Sequence, residues 1–159
     1  MWKNIMFALA LGWLSNAWAD PYDPIVSMAW VGESVPGQST ATLQLNLTTV
    51  KAVTLMSVSS PAAAAVEIQS LMPSGGKMKV QVLNNLPLPD HRTITFPTQA
   101  IFLMMTGIKQ PLKIGERVPV TLNFTFADKR IKSISTEAEV KKMELSYKHY
   151  GPNAVYDHR

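Results

Sequence analysis

Val118-Pro119-Val120-Thr121-Leu122-Asn123-Phe124-Thr125-Phe126 is the most informative stretch of this chain of 159 residues. Val118, Val120, Leu122, Phe124 and Phe126 fall on one side of an extended backbone, and Thr121, Asn123 and Thr125 on the other. A period of two residues is the mark of a strand with one face in a core. Residues 40–48 repeat the pattern, with Ala41, Leu43, Leu45 and Leu47 opposite Thr40, Thr42, Gln44, Asn46 and Thr48. So do residues 77–83, with Met78, Val80 and Val82 opposite Lys77, Lys79 and Gln81. Further strands are predicted over 25–31, 52–59, 64–71, 92–96, 101–105, 131–136 and 139–142.

Turn chemistry separates these runs. Pro36-Gly37, Pro73-Ser74-Gly75-Gly76, Pro87-Leu88-Pro89-Asp90 and Ile114-Gly115-Glu116 are clusters of residues that break strands. The second of them joins two strand-like runs and reads as a hairpin. Ala62-Ala63-Ala64-Ala65 could start a helical turn but is too short to hold a helix alone. Many short strands without a long helical period predict one antiparallel β-sandwich.

The two ends differ from this body. Lys3 precedes a nearly unbroken apolar run over 5–14, and Ala17-Trp18-Ala19 forms a small-x-small cleavage site before Asp20. Residues 1–19 are therefore predicted to be a cleavable secretory signal peptide, too short for a membrane span. The domain is expected over 20–143, exported to the periplasm, with no stable membrane insertion. Residues 144–159 are polar, contain Gly151-Pro152 and lose the alternation, so they are predicted to be a flexible tail.

The formal charge of +4 falls by one when Lys3 leaves with the signal. Ten of the fifteen Lys and Arg lie from Lys109 onward, with acids among them. Nucleic-acid binding would need a denser basic stripe with exposed aromatics, so no nucleic-acid partner is expected. A mildly basic face suits an acidic protein partner. There is no Cys, which removes disulfides, thiolate metal sites and dithiol redox chemistry, and leaves no thiol near the cleavage site for a lipid.

Catalytic constellations are equally scarce. There is no Gly-x-Ser-x-Gly, no paired-acid arrangement and no phosphate loop of the usual spacing, and His91 beside Asp90 is ordinary turn composition. The chain is not expected to be an enzyme. Soft donors remain: Met28, Met56, Met72, Met78, Met104, Met105 and Met143 follow the signal, and His149 and His158 lie in the tail. Thioether sulfur suits Cu(I), although Met is also a common core filler.

Four segments resemble the periplasmic copper chaperones of the PCu(A)C family. They are Ala29-Trp30-Val31 with Val35-Pro36-Gly37-Gln38; Ser59-Ser60-Pro61-Ala62-Ala63-Ala64-Ala65-Val66-Glu67-Ile68; Gly107-Ile108-Lys109-Gln110-Pro111-Leu112-Lys113-Ile114-Gly115-Glu116; and Val118-Pro119-Val120-Thr121-Leu122-Asn123-Phe124. The resemblance covers about 25–143. It implies a Greek-key, cupredoxin-like β-sandwich, Cu(I) as the bound metal, and a periplasmic partner that is a copper acceptor or an assembly factor. It also implies a ligand pattern of His, ten residues, Met, twenty-one residues, then His-x-Met. In this chain those four positions are Gln69, Val80, Phe102 and Met104, so the spacing is kept and one ligand of four survives. Met78 shares the face of Val80, and Met78 with Met104 is the expected residual metal pair, with Met72 as a third arm or a tail His folding back. Otherwise the former site is an apolar patch for a protein partner.

Overall fold

The computed structural model describes residues 19–143. The predicted signal peptide (Ala19 apart) and the predicted tail with His149 and His158 lie outside the described residues. Ten strands follow in chain order: β1 (Ile25–Gly32), β2 (Thr40–Thr49), β3 (Val53–Ser59), β4 (Ala63–Ser74), β5 (Lys77–Leu83), β6 (Leu86–Leu88), β7 (Arg92–Phe96), β8 (Ile101–Ile108), β9 (Arg117–Phe126) and β10 (Ile131–Lys141). The two strongest alternations become the two main walls of the core. Leu43, Leu45 and Leu47 of β2 and Val120, Leu122 and Phe124 of β9 are almost wholly buried, while their polar neighbours face outward. Burying a side chain of this size contributes about 1.5–3 kcal/mol, so the pattern that names these strands also holds them in place.

The strand order is β5-β4-β8-β2-β1-β10-β9-β3-β6, and β7 also pairs with β2. A further contact between β3 and β4, Val58 opposite Val66, bends the sheet into a barrel-like ring. Two features depart from the expected antiparallel sandwich. β1 and β10, the first and last strands, pair in parallel, Trp30 opposite Glu139 and Val31 opposite Val140. Residues 131–136 and 139–142, predicted as two strands, are one strand, β10, that pairs with β9 from Ile131 to Glu139. The short alanine run enters β4 instead of a helical turn.

The predicted hairpin is present. Ser74 pairs with Lys77 across Gly75 and Gly76, whose φ values are +57° and +78°. Positive φ at both central residues gives a turn whose twist matches the strands, which is why two glycines stand here. Gly107 is a second constrained position: φ is +62°, and a Cβ built there would lie 2.7 Å from the Ala64 Cβ. At the same end, Ser34 Oγ accepts a hydrogen bond from Leu112 N at 2.7 Å, and Ser34 N donates to Leu112 O at 3.0 Å. These bonds tie the loop after β1 to the loop before β9.

The opposite end is fastened by charge. Arg130 meets Asp20 at 3.2 Å and Asp128 at 2.6 Å, and Lys132 meets Asp23 at 2.6 Å. The Tyr22 backbone N–H and then Arg130 hold Asp20 below its usual 3.8, and Arg130 does the same for Asp128. A lowered folded-state pKa means that these carboxylates contribute stability fully above 3.8 and lose it as pH falls below that value through the folded-state pKa. Arg130→Gln is expected to lower the melting temperature slightly at neutral pH. The gap from the wild type should close in acid, as read by thermal melts across a pH series. A gap unchanged by acid would remove the pairing from the stability of this end.

Candidate functional site

Parity along β4, β5 and β8 decides which side chains can meet. Val66, Ile68, Leu103 and Met105 point into the core, so the residues between them point outward. On that outer face Glu67 lies opposite Met104, and Gln69 lies opposite Phe102. Across the other edge of β4, Gln69 faces Val82 and Leu71 faces Val80. Met104 in turn faces Thr42 of β2, whose hydroxyl donates to the Met104 sulfur at 4.0 Å. Positions 69, 80, 102 and 104 therefore occupy one outer face on three adjacent strands.

Their chemistry is that of a mixed patch. Gln69 Nε2 donates to Glu67 Oε2 at 2.7 Å, and both side chains are half-buried. Phe102 and Met104 are half-buried beside them, while Val80 and Val82 are more than half exposed. The donors on this face are one thioether, one amide already engaged with a carboxylate, and that carboxylate. Cu(I) favours thioether, thiolate and imidazole, so this set does not fit a closed Cu(I) site. Among the described residues no group of three or more His, Cys, Asp or Glu converges to hold a metal. The larger clefts lie elsewhere; the one of about 450 Å³ between Pro61, Lys109, Leu112 and Arg117 contains none of the four positions.

The register corrects the expected Met78–Met104 pair. Met78 lies opposite Pro73, six residues along β4 from Glu67, the partner of Met104. At about 3.3 Å per residue this is roughly 20 Å along the sheet, with two strand spacings of about 4.8 Å across it. Sharing a face is not sharing a row, and two thioethers so far apart cannot reach one ion. Met72 is excluded as a third arm by parity, because it pairs with Lys79 on the opposite face. Glu67, opposite Met104, joins this face although the ligand pattern does not include it. It lies two residues before Gln69, and that spacing alone puts it on the same face.

The family model described as lipoprotein LpqE-like matches residues 14–140. The chain belongs to the LpqE-like family. Solved structures similar to it include PCu(A)C domains, in keeping with the resemblance carried by its sequence segments. The copper(I) form of DR1885 from Deinococcus radiodurans is 26% identical with a TM-score of 0.59, covering 82% of this chain and 85% of that one. The apo form of the same protein is 26% identical with a TM-score of 0.56, covering 89% and 94%. The copper-bound PCuAC domain of PmoF2 is 16% identical with a TM-score of 0.58, covering 75% and 92%, and its likeness concerns the fold alone. No curated protein sequence matches the chain. This LpqE-like chain contains no Cys, the residue whose thiol would take a thioether-linked lipid. Among the described residues of this LpqE-like domain, no helix is long and apolar enough to cross a membrane.

Proposed function

We propose that this protein is a periplasmic member of the copper-chaperone lineage, exported by removal of residues 1–19, that serves copper trafficking or oxidase assembly. It does so through protein contact at the Phe102–Met104 face, where its relatives' domains would hold metal. One observation carries the reading: the four family positions come together on one outer face, yet Met104 is the only family-type ligand among them. A fold that keeps the geometry of a docking face while losing the donors keeps the means to meet an acceptor or assembly factor, not the means to grip Cu(I). Phe102 beside Met104 offers the kind of half-buried aromatic and thioether contact on which partner proteins anchor.

Genetic complementation separates contact from metal. Deleting the gene is expected to lower terminal oxidase activity when copper is scarce. A Met104→Leu copy should restore that activity, because it keeps the apolar volume and removes the sulfur. A Phe102→Asp copy should fail although the protein stays folded, because the half-buried position limits the stability loss to about 1–2 kcal/mol. Failure of Met104→Leu with success of Phe102→Asp would return the function to metal binding.

A further inference from the structure

The outer edge of β5 has an unusual combination of free backbone, apolar side chains and one sign of charge. Leu71 N donates to Ala100 O at 2.8 Å, so the main chain of β4 at residue 71 faces toward β8. Along an antiparallel ladder this direction alternates. Ile68, Ser70 and Met72 therefore face β5, where they lie opposite Leu83, Gln81 and Lys79. It follows that the N–H and C=O groups of Met78, Val80 and Val82 point away from β4. β5 ends the strand order, with no strand pairing beyond it among the described residues. The side chains of the same three residues are 61%, 53% and 52% exposed. Lys77 and Lys79 are the only charged residues between Glu67 and Asp90.

We propose that this open edge binds an extended segment of a partner protein, in which apolar residues alternate with acidic ones, as an added β-strand. The proposal rests on the protein-contact reading above and gives the partner a chemistry. Outward N–H and C=O groups supply the main-chain pairing, as in other strand additions. Met78, Val80 and Val82 meet the apolar residues of the segment on one face, and Lys77 and Lys79 meet its carboxylates on the other. The charge pattern disfavours a second copy of this chain: two β5 strands side by side would bring four lysines onto one face. Lysines on an edge strand are a common guard against self-pairing, and an acidic segment turns that guard into an attraction.

Fluorescence anisotropy on the exported protein tests this with a labelled peptide alternating Glu and Val, against a counterpart alternating Lys and Val. The Glu–Val peptide is expected to bind, more weakly as salt is raised, and the Lys–Val peptide is not. Val80→Pro removes an outward N–H and no β4–β5 hydrogen bond, so the hairpin should survive while binding falls about tenfold or more. Lys77→Glu with Lys79→Glu, two fully surface changes, should reverse the peptide preference. Silence from both peptides, equal binding of both, or unchanged binding by a folded Val80→Pro protein would overturn the proposal. A concentration-dependent dimer abolished by Val80→Pro would overturn it in favour of self-association. If the peptides fail while Phe102→Asp still fails to complement, the contact reading stands and only the β5 edge is removed from it.

Discussion

Gln69→His, Val80→Met and Phe102→His, made together, are expected to turn a chain that leaves Cu(I) to a chelator into one that takes it. Gln69 and Phe102 are direct partners across β4 and β8, and Met104 is two residues from Phe102 on the same face. Val80 lies one row further along, opposite Leu71, with its side chain on that face and more than half exposed. Imidazole from positions 69 and 102 and thioether from 80 and 104 would supply four soft or borderline donors. The replacements sit at half-buried or exposed positions, so the fold should tolerate them. Competition with a Cu(I) chelator measures the gain, and further replacement of Met104 by Ala should reduce it. A triple variant as weak as the wild type would mean that the face does not close on one ion whatever donors it carries.

Phe124→Ala is expected to have the largest effect on the fold itself. Phe124 is fully buried in β9, where it pairs with Leu55 of β3 and Lys132 of β10. Truncating a buried Phe costs about 3–5 kcal/mol, a large share of the 5–15 kcal/mol that holds a typical domain. That corresponds to a fall of roughly 10–20 °C in melting temperature for a domain of this size. Phe102→Ala is the control: its ring is half-buried on the outer face, and the loss should be about 1 kcal/mol. Calorimetry or denaturant melts of the two variants give the comparison. Equal losses would place the centre of the core somewhere other than between β2 and β9.

The strands with a wet and a dry face were legible because burial writes its period into the residues. β2, β7 and β9 match the predicted spans to within a residue or two, and Gly75-Gly76 marks its hairpin by the conformation it requires. β5 misleads by the same rule. Lys77 to Leu83 alternates as cleanly as β2, yet residues 77–82 are exposed on both faces and only Leu83 reaches the core, because β5 extends the sheet beyond the ring. β6 was hidden inside a proline cluster, where Leu86–Leu88 makes a short edge pairing with β3. Ring closure at Val58 and Val66 and the parallel β1–β10 pair depend on residues far apart in the chain, which no local period encodes.

The candidate site followed the same division. Parity could place positions 69, 102 and 104 on one face, and would have placed Glu67 there too. It could not say how far along that face Met78 lies. Row as well as face is set by the register of β4 on β5 and β8, and that register is fixed by the turn at Gly75-Gly76 and by the buried partners Ile68 and Leu103.

Titration of the wild-type protein with Cu(I) in the presence of a coloured high-affinity chelator is the most direct test of the reading of this face. The chelator is expected to keep its copper at every protein concentration, since Val80 and Phe102 carry no donor atom and Gln69 is turned to Glu67. Transfer of one equivalent of Cu(I) to the protein, abolished by Met104→Ala, would contradict it.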